Sequence, residues 1–186
     1  MELYRRENYL KKIRGFYHDS EMIKVITGVR RCGKSSLMQT IIEELKEQGV
    51  PEANLVFLDL DSKKHKSIKK PKQLEQEIDK LCSAEGMKYL FIDEIQNIIG
   101  FEEIINAYRG EKEYSVFITG SNSYLLSGEL ITKLTGRYIE IEMLPLSFEE
   151  YIDMKQYYGK NVSPNPTEEL DKYINEGGFP KTIFYD

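Results

Sequence analysis

Eight residues limit the fold of this chain more than any other stretch. Gly28-Val29-Arg30-Arg31-Cys32-Gly33-Lys34-Ser35 fits the spacing G-x-x-x-x-G-K-[ST]. The pattern has a structural meaning in one context only. A strand must run into it and a helix must leave it, so that glycine-permitted turns aim backbone N–H groups at a phosphate chain. The new helix then adds its positive end to the same anion. Both flanks are present. Met22 to Val29 predicts a strand, and Lys34 to Gln48 predicts a helix with Leu37, Met38, Ile41, Ile42 and Leu45 on one face and Gly49 as its stop. The candidate phosphate cradle is therefore Gly28, Arg30, Arg31, Cys32 and Gly33, with Lys34, Ser35 and Ser36 opening the helix. Lys34 would reach the outer phosphates of a nucleotide and Ser35 would place its hydroxyl on Mg²⁺. The plain alternative is a glycine turn that holds nothing.

The rest of the chain repeats the alternation of apolar run and helical pattern that marks a parallel sheet covered on both faces. Asn54 to Leu60 is the second run, and Pro71 opens a helix carrying Leu74, Ile78 and Leu81. Tyr89-Leu90-Phe91-Ile92 is the third, Phe101, Ile104, Ile105 and Tyr108 mark a helical stripe, and Ser115 to Thr119 is the fourth strand. In a fifth, Ile139, Ile141 and Met143 alternate with Glu140 and Glu142, so one face is wet, as at a sheet edge. Ser147-Phe148-Glu149-Glu150 is a capping box that starts another helix. The stretch from Gly159 to Pro166 is the expected internal joint, after which Thr167 is expected to cap a last helix that stops at Gly177-Gly178.

Asp93-Glu94 closes the third apolar run, where carboxylates are poor company for a buried sheet. They make sense there if Asp93 holds Mg²⁺, through water, while Glu94 acts as the catalytic base that orients and deprotonates a water aimed at the terminal phosphate. The alternative is an acidic loop start in solvent. With the phosphate cradle, the pair points to hydrolysis. An Asn-Lys-x-Asp guanine reader is absent from the sequence. At the end of the fourth strand, Thr119-Gly120-Ser121-Asn122-Ser123 lies where ligands of open parallel sheets collect. Asn122, or else Ser121, could bond the attacking water or the phosphate, or the cluster could simply cap the next helix.

Composition narrows the class further. The 186 residues are the size of one α/β domain. Twenty-six Lys plus Arg against 31 Asp plus Glu give −5, which excludes a uniformly basic nucleic-acid wrapper. Cys32 and Cys82 cannot make a disulfide framework, so a reducing cytoplasmic setting is expected, and no apolar run is long enough to span a membrane. His18 and His65 share no metal-ligand spacing.

At these motifs the chain resembles AAA-type P-loop ATPases of bacteria and archaea, most nearly the prokaryotic group with a Gly-x-Arg-Arg-x-Gly-Lys-[Ser/Thr] loop. The resemblance runs almost the whole length, through Phe91-Ile92-Asp93-Glu94-Ile95-Gln96, Ile118-Thr119-Gly120-Ser121-Asn122, Leu134-Thr135-Gly136-Arg137, Leu144-Pro145-Leu146-Ser147-Phe148 and Gly177-Gly178-Phe179-Pro180. It implies an α/β P-loop NTPase sandwich with a five-stranded parallel sheet in the order 5-1-4-3-2 and helices on both faces. It implies ATP as the nucleotide with Mg²⁺, and a switch driven in an attached domain or partner. It also implies an ATPase core over 1–145 and a helical extension or lid start over 146–186, cut short before a C-terminal domain of poorly defined function.

Arg137 takes its meaning from the same likeness. It stands just before the fifth strand, where such ATPases place an arginine finger that completes a neighbour's site in a homo-oligomer. The alternative is an edge arginine paired with Glu140 or Glu142. As a departure from the family pattern, no arginine follows Arg137, so a lid sensor arginine is missing from this stretch. Arg30 and Arg31 either add charge near the phosphates, dock a partner or are solvated, and Cys32 reads as packing rather than as a nucleophile.

Lys63-Lys64-His65-Lys66-Ser67-Ile68-Lys69-Lys70-Pro71-Lys72 holds six lysines and no acid, and taking them from the net charge leaves −11. The segment either grips a nucleic-acid backbone or an acidic protein client, or is a solvated loop, and no aromatic interleaves it for base stacking. Tyr4, Tyr9, Phe16 and Tyr17 before the first strand read as a lid packed on the sheet or a wall facing a base, and the resemblance implies that the segment with Arg5 and Tyr9 approaches that base. A nucleotide-gated binding module with little turnover is the competing function.

Overall fold

A computed structural model of the chain describes residues 2–82, 84–121, 134 and 136–185. Asn122 and Ser123 lie outside the described residues.

Every residue of β1 (Ile23–Gly28), β3 (Lys88–Asp93) and β4 (Tyr114–Thr119) is buried, which is what continuous apolar runs require of a sheet covered on both sides. With β2 (Leu55–Asp59) and β5 (Tyr138–Met143) they form one five-stranded sheet in the order β2-β3-β4-β1-β5, all parallel. This is the 5-1-4-3-2 order that the resemblance implied. β5 is an edge strand, with Glu140 and Glu142 exposed and Ile141 and Met143 buried. The register aligns Asp59 with Asp93 and Ile26 with Thr119, so the chemistry-bearing ends of four strands lie along one rim.

One face of the sheet packs α3 (Pro71–Leu81) and α4 (Phe101–Gly110) around Val25, Leu58, Leu90, Ile92 and Ile118. The other packs α2 (Lys34–Glu47) and the N-terminal α1 (Glu7–Ile13) around Ile26, Phe91, Phe117 and Met143, with Phe91 and Phe117 stacked at 4.4 Å. A third apolar cluster joins Leu146, α5 (Phe148–Tyr157) and Ile183, with Tyr4, Tyr158 and Tyr173 against it. The capping box at Ser147 forms as expected, Ser147 Oγ accepting from Glu150 N and Glu150 Oε2 from Ser147 N.

One cap differs from expectation. α6 (Pro166–Glu176) is capped by Asn165, whose Oδ1 accepts from Thr167 N at 3.1 Å. Pro166 fits the first helical position because its missing N–H would be unpaired there, so the helix starts before Thr167.

Lys24 is fully buried at the amino end of β1. Its ammonium donates to Asp19 O (2.6 Å), Ser115 Oγ (2.7 Å) and Met22 O (3.0 Å). Loss of hydration pushes its pKa down to about 7.

Candidate functional site

The loop between β1 and α2 is shaped by three residues at positive φ. Gly28 (φ 145°) could carry no side chain, because a Cβ there would lie 2.3 Å from Met143 O and 2.8 Å from Cys32 Sγ. Arg31 (φ 69°) accepts the left-handed region without being glycine, and Gly33 (φ 106°) sets the entry into α2. The result is a turn that ends on the unpaired amides of the first turn of α2, a ready anion site.

Lys34 is buried and lies back over this loop, donating to Gly28 O (3.0 Å) and Val29 O (3.2 Å). Ser35 and Ser36 face outward beside it. Cys32 is fully buried, and burial pushes its thiol pKa up, so packing is its role. Arg30 reaches sideways to Asp61 (3.4 Å) and Arg31 borders the cleft above the loop.

The acid pair arrives from β3. Asp93 is buried, and Thr119 on the neighbouring strand donates its hydroxyl to Asp93 Oδ1 while accepting from Glu94 N at 3.0 Å. Thr119 thus clamps both acids. Glu94 turns into the left-handed region (φ 58°, ψ 49°), which swings its side chain toward the loop. There Oε1 stands 3.9 Å from Lys34 Nζ, and Oε2 accepts from Gln96 Nε2. Sequence motifs far apart along the chain therefore meet across one cleft of about 450 Å³, bordered by Arg31, Lys34, Ser35 and Glu94 on one side and by Met154, Tyr158, Pro180 and Phe184 on the other. A smaller apolar recess adjoins it, formed by Leu3, Tyr4, Leu37, Thr40 and Tyr158.

The donor set suits a hard cation that keeps most of its water. Ser35 and Asp93 offer oxygen ligands, and among the described residues no cluster of three His, Cys, Asp or Glu is built to enclose an ion. Ser35 borders the cleft, and Asp93 is buried next to Glu94 with Oδ1 bonded by Thr119; a hydroxyl and a carboxylate are oxygen donors of the kind that would suit Mg²⁺.

Arg137 is exposed and distant from this cleft. Its carbonyl accepts from Ile23 N, which puts it at the amino end of β1, about a strand's length (~17 Å) from the loop that follows Gly28. Thr27, not Arg137, bonds Glu140 (2.9 Å). Among the N-terminal aromatics, Tyr9 is packed inside and its hydroxyl accepts from Leu144 N, while Leu3 and Tyr4 line the cleft region. Arg5 points away, to Glu47 and Glu44.

The residue that sequence reasoning missed is Arg6. Its guanidinium is buried and donates to Cys32 O (3.0 Å) in the phosphate loop, Leu144 O (2.9 Å), Pro145 O (3.4 Å) and both carboxylate oxygens of Glu150 (2.9 and 2.7 Å). It also stacks over Tyr9 at 4.6 Å. One side chain thereby ties the loop to the exit of β5 and the start of α5. No local pattern announces it, since its partners lie far along the chain.

Fold and cleft together define a P-loop nucleoside-triphosphatase architecture, with the anion loop after β1 and the acid pair after β3. The chain belongs to the AAA domain family, whose model matches residues 20–152. It is 40% identical over 186 residues to an uncharacterized protein of Haemophilus influenzae, covering 97% of this chain and 45% of that protein, so it spans less than half the length of that relative. Among solved structures, AMPPCP-bound DnaA from Aquifex aeolicus superposes with a TM-score of 0.63 at 15% identity, over 98% of this chain and 60% of that one. The Aeropyrum pernix ORC1 protein in complex with DNA does so with a TM-score of 0.68 at 11% identity, over 98% and 58%. These two likenesses concern the fold. Among the described residues no helix is long and apolar enough to cross a membrane.

Proposed function

We propose that this chain is the core of a magnesium-dependent ATPase. The observation that supports it most is the approach of Glu94 Oε1 to within 3.9 Å of Lys34 Nζ on one wall of the cleft, which brings the second acid of the pair to the anion loop. In this reading the amides opening α2 and Lys34 bind the β- and γ-phosphates, and Ser35 and Asp93 hold Mg²⁺, which would neutralise charge on those oxygens. Gly28, Arg30, Arg31, Cys32, Gly33 and Ser36 complete the cradle. Glu94 orients a water and takes its proton as the water oxygen bonds to Pγ. The bond from Pγ to the bridging oxygen breaks, leaving ADP and phosphate. Gln96 holds the base in place, and Asn122 is a candidate sensor of the γ-phosphate.

Because the far wall of the cleft is made by Met154, Tyr158, Pro180 and Phe184, nucleotide bridging the two walls would shift residues 146–186 against the core over 1–145. That is the proposed conformational switch. Arg137 lies too far from its own cleft to act there, which favours a role in completing a neighbour's site in a homo-oligomer. In isolation such a chain would bind ATP and turn it over slowly, the behaviour of a nucleotide-gated module. A soluble cytoplasmic setting fits this chemistry.

The test is ATP binding and turnover by the parent, Lys34→Ala and Glu94→Gln. Lys34→Ala should lose both, whereas Glu94→Gln should keep binding and lose turnover by about 10²-fold or more. Normal hydrolysis by Lys34→Ala would end the proposal. If Arg137 acts on a neighbour, turnover per chain should rise with protein concentration, and Arg137→Ala should abolish that rise.

A further inference from the structure

We propose that the segment from Lys63 to Lys72 docks the phosphate backbone of duplex DNA without reading its sequence. This goes beyond the nucleotide chemistry above and stands or falls separately from it. The segment leaves the carboxyl end of β2 beside the cleft. Its root, Asp61, accepts from Asn97 Nδ2 (2.8 Å) just past the acid pair and faces Arg30 of the phosphate loop.

It is not a loose charged loop. His65 and Ile68 are buried beneath it, with His65 Nδ1 3.2 Å from Asp59 O and Ile68 in the core beside Leu74. Successive turns from Lys66 N to Ser62 O (2.8 Å) and Ile68 N to His65 O (2.9 Å) fix its path. Pinned from inside, it turns Lys63, Lys64, Lys66, Lys69, Lys70 and Lys72 outward, and all six are exposed.

Two features bear on these lysines. Among the described residues none of the six ammoniums has an ion-pair partner, whereas Lys46, Lys88, Lys112 and Lys172 elsewhere pair with Glu52, Glu113, Glu21 and Glu169. A chain with 31 acids keeps this stretch free of them. Moreover, Lys70 occupies the N-cap of α3 and Lys72 its first turn, which contains no acid. A helix N-terminus favours the opposite charge, so both lysines stand where they repel the helix. An external anion would relieve that repulsion and gain from it.

The occupant follows from what the surface lacks. Between Lys63 and Lys72 the sole aliphatic side chain outside lysine and proline, Ile68, is buried, and there is no Phe, Tyr or Trp. Nothing there can stack an unpaired base or receive a peptide side chain. A row of ammoniums suits a duplex, which hides its bases and presents a negative charge about every 1.7 Å along its axis.

The experiment is fluorescence anisotropy of a labelled 30-base-pair duplex of arbitrary sequence, titrated with the full chain between roughly 50 and 200 mM salt. If four to six phosphates are engaged, log affinity should fall against log salt with a slope of about −4 to −5. The triple variant Lys66→Gln/Lys69→Gln/Lys70→Gln should flatten that slope by about 3, as should its Lys→Glu counterpart. Lys11→Gln/Lys12→Gln/Lys112→Gln, with the same charge change elsewhere, should leave it unchanged. A flat slope for the parent would overturn the proposal, as would equal losses in the two Gln triples. Displacement of the duplex by single-stranded DNA or polyglutamate at lower charge concentration would also overturn it.

Discussion

Arg6 is the residue on which the geometry of the phosphate loop turns. A guanidinium presents a rigid fork of donors, and here that fork reaches three carbonyls and one carboxylate inside the protein. Arg6→Ala would leave Glu150 buried without its partner and Cys32 O untethered, a loss of about 3–5 kcal/mol by comparison with other broken buried pairs. Arg6→Lys should recover part of that stability while still loosening the loop, because an ammonium cannot span the same acceptors. Urea unfolding and titration with a fluorescent ATP analogue should show both variants less stable and Arg6→Lys binding at least tenfold more weakly. Unchanged affinity in folded Arg6→Lys would exclude the anchor role.

Lys24 makes a different prediction at the same scale. Below about pH 7 it is charged whether the chain is folded or not. Between about 7 and the ordinary lysine value of 10.5, the unfolded chain holds a proton that the folded chain releases, so this residue makes stability rise with pH. Melting curves from pH 7 to 9.5 should show the parent gaining several degrees relative to Lys24→Met.

Among the elements, β1, β3 and β4 were legible because strands buried on both faces are written as unbroken apolar runs, and β5 because its alternating glutamates mark an edge. The Gly28–Ser35 loop and Asp93-Glu94 were legible for a related reason, since each is a local pattern at a strand end. What could not be read was anything that depends on two distant segments meeting. Thr119 was visible as part of a polar cluster, yet its clamp on Asp93 and Glu94 exists only through the β3–β4 pairing. Arg6 is the extreme case. The cap of α6 lies two residues before Thr167, which is a good cap by type, because Pro166 takes the first helical position and makes Asn165 the cap. Asn165→Ala should therefore cost about 1 kcal/mol and Thr167→Ala only a few tenths, measured by thermal or urea unfolding.

At the scale of the whole molecule, the cleft has one wall from the loop after β1, the start of α2 and Glu94, and another from the segment that follows β5. That second wall is held by short-range geometry. Leu146 N donates to Gly178 O at 2.6 Å, and Gly178 has no room for a Cβ, which would lie 2.6 Å from Leu146 O. Two residues on, the Pro180 ring stands 3.7 Å from where a Cβ on Gly33 would be. The gripping loop and the strap of residues 177–180 are thus in near contact, with no spacer to absorb a displacement of either. On the proposed reading, a pull on that strap would reach the amides at the start of α2, and an occupied loop would press back on the strap, so force would pass between them in both directions.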